Sequence, residues 1–151
     1  MSLPLRPTAA FILLTSSLVA GCTGSGPTSP VARDIVAAQA LWQRAGLDSY
    51  TVTSSLSCFC APEYTAALTV TVRNGIVTGI TNAATGAVQP VNFRQPIDSI
   101  FANLTRQAAD DPAHLTVRFD PTYGYPVHAE FGSVAADAGY AIDLSNLRAL
   151  Q

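Results

Sequence analysis

The sequence has no lysine and few charged residues of any kind, which excludes several classes of protein. All eight basic residues are arginine, ten residues are acidic, and charged residues make up only 12% of the 151-residue chain. The formal charge is −2, so the chain lacks the basic surface that holds nucleic acid, and no nucleic-acid partner is expected. With 48% hydrophobic residues, the composition is that of one globular domain rather than a disordered chain.

Long hydrophobic runs are also scarce, and the one at the N-terminus is short. The stretch "AAFILLTSSLVA" follows Arg6 and precedes Gly21 and Cys22. It falls short of the roughly 20 residues that a membrane-spanning helix needs. A basic residue, a short apolar core and small residues before a cleavage point are the three parts of a secretory signal peptide. The ending "LVAGC" resembles the bacterial lipobox, which implies cleavage before Cys22 and a diacylglycerol group on its sulfur. The alternatives are an ordinary secretory signal and a short anchor helix, with Cys22 incidental to either.

This N-terminal pattern predicts the domain organisation and the location. Residues 1–21 are the expected signal peptide, and residues 22–29 are the lipidated cysteine with a tether rich in Gly, Ser, Thr and Pro. Residues 30–151 form the expected single domain. The protein is therefore expected to be exported and anchored to the bacterial cell envelope, with the membrane as a partner through the lipid. Thr23, rather than aspartate, follows the anchor, which favours the outer membrane if the host has two.

Two segments have the spacing of amphipathic helices. The first begins at Ser29-Pro30, a capping residue followed by proline at the first helical position, and ends at Gly46. The second begins at Pro96 and has Asp98 in its first turn, where the helix dipole favours an acid.

Other segments alternate apolar and polar residues, which is typical of strands. Asn74-Gly75 lies between two of these segments and predicts a two-residue hairpin turn, and Pro90 breaks a short edge strand near residues 88–93. Because the links are of hairpin type, we predict an α+β fold: a mainly antiparallel sheet of about five to seven strands with two helices on one face. The predicted strands are Tyr50 to Cys60, with Ser54 interrupting the apolar face, then 68–72, 76–80, 115–119, 127–131 and 140–144.

Two of the three cysteines, Cys58 and Cys60, stand one residue apart at the end of the first predicted strand. An exported domain meets an oxidising compartment, so a disulfide between them is the favoured interpretation. In a regular strand their Cα atoms would be about 6.7 Å apart, close to the upper limit for a disulfide, so a bulge or bend before Pro62 is expected. Free or buried thiols, a redox pair and a metal site are the alternatives.

Several of these features together resemble a family of short bacterial lipoproteins classified only as a domain of unknown function. They are Trp42 on the first helix, Tyr50 opening a strand, the Cys58-Phe59-Cys60 pair, the "VRNGIV" hairpin, "IDSIF" and "FDPTYGYP". The resemblance covers about Leu41 to Leu147. It implies a secreted or lipid-anchored α+β domain without an assigned activity.

Motifs for catalysis and cofactors are missing. The sequence contains no serine elbow, no His-Glu-x-x-His pair and no closely spaced paired carboxylates that look catalytic, so no catalytic residue and no cofactor is predicted. His114 and His128 would complete a four-ligand zinc set with Cys58 and Cys60, but one residue between cysteines is tighter than structural zinc sites use, so no metal site is predicted. His128 is interpreted as a solvent-facing strand residue.

A further candidate for recognition is the turn Tyr123-Gly124-Tyr125-Pro126, which carries two aromatic side chains. Its glycine and proline favour a packed turn first. These features together predict a non-catalytic envelope lipoprotein that acts in binding or assembly or as an inhibitor-like module, with an envelope protein as its partner. The alternative is a thiol-redox or metal-handling envelope protein that uses Cys58 and Cys60.

The anchor hypothesis makes a direct prediction. The native protein should partition into detergent and carry the mass of a diacylglycerol on Cys22, and Cys22→Ser should release the protein or leave it as unprocessed precursor. Mass spectrometry of the purified N-terminal peptide measures this. A fully soluble wild-type protein without lipid would contradict the hypothesis.

Overall fold

The computed structural model describes residues 29–132 and 139–151. The predicted signal peptide, Cys22 and the tether up to residue 28 lie outside these ranges. Within them the chain forms one seven-stranded antiparallel sheet and two main helices, so the predicted α+β class is confirmed. No helix in the described ranges is long and apolar enough to cross a membrane.

The main helices begin and end at the residues that predict them. Helix α1 spans Pro30–Ala45; the Ser29 side chain accepts the N–H of Ala32 at 3.2 Å, and Gly46 ends the helix with φ 62°. Helix α3 spans Ile97–Asp110, directly after Pro96. Between them a four-residue helix, α2 (Pro62–Thr65), forms where the sequence pattern indicated no element.

The strand bounds are β1 Tyr50–Ser57, β2 Leu68–Arg73, β3 Ile76–Asn82, β4 Val88–Gln89, β5 Leu115–Phe119, β6 Pro126–Phe131 and β7 Tyr140–Ala149. These strands form a sheet of the order β4-β3-β2-β1-β7-β6-β5, and all neighbouring strands are antiparallel. Asn74 and Gly75 both have positive φ, 49° and 74°, as the predicted hairpin turn between β2 and β3 requires. The predicted edge strand is β4, only two residues long, and Pro90 ends it.

The strand β1 ends earlier than predicted, while the bend expected before Pro62 is confirmed. The strand stops at Ser57, and Cys58 and Cys60 lie in the bend that follows instead of continuing the inner face. The physical reason is the pairing of β1: its last partner on β2 is Leu68, opposite Ser54, and its last partner on β7 is Ala141, opposite Ser57. Among the described residues no strand pairing continues beyond Ser57, and the chain bends so that the two cysteine Cα atoms are 5.3 Å apart.

The core lies between the helices and one face of the sheet. Tyr50, Val52 and Ser54 alternate on that face, all three buried. Trp42 of α1 and Phe101 of α3 are 2% and 0% exposed, so both helices pack an apolar face inward. Phe101 stacks on Phe119 of β5, with ring centroids 6.0 Å apart.

The other face of the sheet is polar, and no helix of the described residues covers it. Thr51 pairs with Thr71 across β1 and β2, and Thr53 pairs with Thr69, so hydroxyl groups line its centre. His128 also lies on this face, where its Nδ1 is 2.7 Å from Asp143 Oδ1 on the neighbouring strand. An antiparallel sheet covered on one side alternates apolar and polar residues in this way.

Tyr50 joins three elements of the core. Its ring meets the Trp42 ring edge to face, with centroids 5.5 Å apart and planes at 87°. Its hydroxyl oxygen accepts the N–H of Ile97, the first residue of α3, at 2.8 Å. Burial raises the pKa of Tyr50 from 10.0 to about 12, with the Ile97 N–H opposing and the charge of Asp98 adding to the rise.

This pKa predicts a loss of stability in alkali. Stability from Tyr50 is complete below pH 10 and is lost as the pH rises toward 12, because the unfolded chain releases the proton first. One such group changes the free energy of unfolding by at most about 1.4 kcal/mol per pH unit. Tyr50→Phe should lower stability at pH 7 by about 1 to 3 kcal/mol, since the buried Ile97 N–H loses its acceptor, and should make the alkaline slope shallower.

Urea unfolding at pH 7, 9.5 and 11 measures both effects. Burial also raises the pKa of Tyr125 and Tyr140, so part of the slope should remain in Tyr50→Phe. Tyr123→Phe removes a hydroxyl from an exposed tyrosine and is the matched control. It should change neither the free energy of unfolding at pH 7 nor its slope in alkali. An unchanged alkaline slope in Tyr50→Phe would contradict the prediction.

Candidate functional site

Arg94 is the one arginine of the described residues that is buried, and it carries the candidate site. Its side chain is 7% exposed and lies between β4 and α3. Nη1 donates to the Phe93 carbonyl at 2.8 Å, and Nη2 donates to the carbonyls of Tyr64 at 2.7 Å and Ala66 at 3.2 Å. Through these bonds Arg94 ties the segment around α2 to the segment before α3.

The electrostatics of Arg94 are unusual for a buried charge. Buried charges are normally paired with an opposite charge, but within residues 29–132 and 139–151 no carboxylate pairs with this guanidinium. Its Nε is buried and has no hydrogen-bond partner in the described part of the chain. Burial lowers the pKa of Arg94 below its ordinary value, yet an arginine keeps its proton at neutral pH. No described residue therefore neutralises the positive charge at this position.

A half-enclosed cavity of about 160 Å³ lies beside Arg94. Ser54 contributes to its floor, at a position on the inner face of β1 where the neighbouring inner residues Tyr50 and Val52 are larger and apolar. The small serine side chain leaves space that a larger residue would fill. The lining residues are Ser54, Leu56, Phe93, Arg94, Gln95, Ile100, Asn103, Tyr140 and Ile142.

A chain of polar side chains forms one wall of this cavity. Asn103 Nδ2 donates to Gln95 Oε1 at 2.9 Å, and Arg106 Nη2 donates to Asn103 Oδ1 at 2.7 Å. Tyr140 contributes a second wall; it stacks on Phe131 with centroids 4.6 Å apart. The two hydrogen bonds fix the orientation of the side-chain amides of Gln95 and Asn103, which line the cavity.

The cysteine bend and α2 lie at the same end of the molecule as the cavity. Leu56 lines the cavity two residues before Cys58, and Tyr64 of α2 stacks on Phe93 with centroids 4.8 Å apart. Phe59, between the cysteines, is 95% exposed. The close contact of Cys58 with Cys60 therefore sets the path of the chain from the cavity floor on β1 to the carbonyl groups that Arg94 holds.

The predicted recognition turn is largely packed. Asp120 Oδ1 accepts the N–H groups of Thr122 and Tyr123 at 2.9 and 2.7 Å. Tyr123 is 42% exposed, but Gly124, Tyr125 and Pro126 are buried. The turn thus presents one aromatic side chain to solvent, and its other residues contact the core and α1.

The histidines and cysteines are not brought together. His114 lies in the turn after α3, where its Nδ1 is 2.8 Å from Asp111 Oδ2, and His128 lies on the polar sheet face beside Asp143. Within residues 29–132 and 139–151 no three side chains of the metal-ligating types cluster.

A second depression is larger but shallow. It measures about 370 Å³, is wide open to solvent, and lies at the opposite end of β1 from the cysteine bend, where Trp42, Asp48, Asn74 and Asp98 line it. Asp98 Oδ1 accepts the Trp42 Nε1–H at 3.2 Å, so this carboxylate already has a partner in the fold. An open surface of this kind encloses less of a ligand than the Arg94 cavity does.

Comparison with known proteins places the chain in a family. The family model described as a family of unknown function, DUF6174, matches residues 34–149, which is most of the chain. The chain belongs to the DUF6174 family. This confirms the resemblance to a family of unknown function that the motifs indicated. No curated protein and no solved structure matches this DUF6174 chain.

The cavity beside Arg94 is a site that the sequence pattern did not reveal. Arg94 lies in a loop between Pro90 and Pro96, where an arginine is expected to be exposed, and only the fold shows that it is buried. The one signal in the sequence is Ser54, which interrupts an apolar strand face; a polar residue in such a position indicates a gap in the core or a polar partner.

The packed turn of this DUF6174 chain yields a prediction. Gly124 has φ 78°, and a Cβ there would overlap the Ala38 carbonyl oxygen and lie 2.9 Å from Leu41 Cβ. Gly124→Ala should therefore lower the free energy of unfolding by about 2 to 4 kcal/mol. Gly86→Ala is the matched control. Gly86 also has a positive φ, 73°, but a Cβ added there would have no atom within 4 Å.

The control variant should lose only the backbone term, about 1 kcal/mol. Thermal and urea unfolding of the two variants beside the wild type measure the difference. Equal losses in Gly124→Ala and Gly86→Ala would show that the contact with α1 has no part in the stability of the turn.

Proposed function

We propose that this chain is a bacterial envelope lipoprotein, anchored through Cys22, whose folded domain is a non-catalytic binding module. The anchor is supported by the leader pattern that ends in "LVAGC". Residues 23–29 then serve as a tether that lets the domain reach ligands or envelope proteins near the membrane surface. In a host with two membranes the outer membrane is the favoured location, since Thr23 follows the anchor.

The observation that carries the binding role is the cavity beside Arg94. Ligand sites are concave, mostly apolar and contain a few fixed polar groups, and this cavity combines apolar walls with one guanidinium and two amide side chains. Within residues 29–132 and 139–151 its lining includes no histidine or carboxylate that could act as a general base. The chemistry of the lining thus favours recognition over catalysis.

We assign Cys58 and Cys60 a structural disulfide that fixes the bend next to this cavity. Their Cα separation of 5.3 Å lies within the range that a disulfide spans. The bend leads directly into α2, whose Tyr64 carbonyl accepts from Arg94. A fixed bend therefore supports the wall of the cavity.

A thiol-redox role is the second candidate, and the exposure of the bend favours it. Cys60 and the intervening Phe59 are exposed, so a reductant or a partner thiol can reach the pair. Access of this kind is required for thiol–disulfide exchange.

The two roles predict different behaviour of the pair. If the disulfide is structural, thiol labelling of the purified processed protein should find neither Cys58 nor Cys60 free. Replacing both with Ser should lower the free energy of unfolding by about 1 to 2 kcal/mol, because the closed loop is very short, and should leave the capture of an envelope partner intact. Pull-down from the native envelope with wild-type and double-Ser baits measures this.

The matched control for the double variant is Ser55→Ala with Ser57→Ala, which changes two neighbouring residues of β1 and leaves the cysteines intact. A redox protein would instead lose function in the folded double-Ser variant and would form a mixed disulfide with an envelope thiol in the wild type. That result would replace the binding role with the redox role.

A further inference from the structure

The charge beside the cavity has no counter-ion in the described part of the chain. The three groups that accept from Arg94 are neutral backbone carbonyls. They satisfy N–H donors but leave the full positive charge, and the buried Nε has no acceptor among the described residues. None of the lining residues in the described part of the chain is acidic. The described lining is therefore positive in a chain whose net charge is −2.

A second arginine adds to this potential at the polar wall. Arg106 binds Asn103, which lines the cavity, and its own side chain is exposed. Burial raises the pKa of Tyr140 on the other wall, and the charge of Arg106 opposes that rise, so the guanidinium lies close enough to act on the cavity electrostatically. The guanidinium groups are those of Arg94 and Arg106, and the amide groups are those of Gln95 and Asn103. Together these groups form a surface that attracts an anionic group.

The remaining walls limit what the rest of a ligand can be. Leu56, Phe93, Ile100 and Ile142 are apolar, and Tyr140 presents an aromatic ring. The volume of about 160 Å³ is close to the 150 Å³ of an engineered apolar cavity that binds benzene. An apolar body of about one ring therefore fits inside the cavity.

We propose that the Arg94 cavity binds a small amphipathic anion, a carboxylate or phosphate group joined to an apolar body the size of one ring. The anionic group lies toward Arg94 and the amides of Gln95 and Asn103, and the apolar body packs against Ile100 and Ile142. This inference rests on the proposed binding role and names its ligand class.

The test uses the processed full chain in a non-ionic detergent and three probes of similar size: benzoate, phenyl phosphate and benzyl alcohol. We expect both anions, or one of them, to bind with a dissociation constant at least about tenfold below that of benzyl alcohol. The comparison of benzoate with phenyl phosphate identifies the anionic group. In the wild type, the NMR signal of the Arg94 Nε–H should shift on addition of the anion and stay in place with the alcohol.

Variants locate the binding. Arg94→Gln should remove the preference for the anion, and Arg118→Gln, at an exposed arginine of β5, is the matched control that should keep it. Because Arg94 also holds the segment around α2, circular dichroism checks that Arg94→Gln is folded. Ser54→Leu fills the cavity floor while retaining the guanidinium and should weaken both anions at least about tenfold. If Arg94→Gln does not fold, the proposal is tested by the NMR shift in the wild type and by the affinity of Ser54→Leu for the two anions.

Equal affinity for benzoate, phenyl phosphate and benzyl alcohol would overturn the proposal, and so would the absence of binding by all three. Loss of the anion preference in Arg118→Gln would overturn it as well, because binding would then lie on the sheet surface. A chain recovered without lipid on Cys22 would contradict the envelope anchor alone, since the probes are measured on the purified protein in either state.

Discussion

The packing of the two layers depends on Tyr50. Its ring is fully buried against Trp42 of α1, and its hydroxyl oxygen accepts the N–H of Ile97, which begins α3. The first N–H groups of a helix have no partner within the helix, so a buried helix start needs an acceptor from elsewhere. One side chain of the central strand β1 therefore fixes where α3 starts and how α1 lies beside it. The segment from Pro90 to Pro96, which contains Arg94, must then run between two fixed points.

That constraint explains how a loop residue comes to carry a buried charge. The segment is held at one end by β4 and at the other by Tyr50, and Arg94 fills the space between it and α2. Removing a guanidinium from water is costly, and three carbonyl bonds offset part of that cost. The charge that remains lies next to the gap left by Ser54. The polarity of the candidate site therefore comes from Arg94, and its shape comes from Ser54.

Local patterns predicted the elements well and the site poorly. Ser29, Gly46 and Asn74-Gly75 act through their own backbone conformation, which explains why the helix ends and the hairpin were predictable. The end of β1 was not predictable in this way, because it depends on how far β2 and β7 extend beside it rather than on Cys58 or Cys60. The cavity depends on Ser54, Arg94 and Tyr140, which are 40 or more residues apart. No pattern within a single segment contains that information.

The two-residue strand β4 has a consequence for self-association. A sheet edge offers unpaired N–H and C=O groups that can template another strand. Here Val88 and Gln89 are the whole edge strand, and Pro90, which lacks an N–H, directs the chain into a 3-10 turn at Val91–Phe93. A strand from another molecule would gain few hydrogen bonds along β4 itself. β4 pairs only with Ile80 and Thr81 of β3, so at high local density any growth of the sheet from one molecule into the next on this side has to start from residues 76–79 of β3.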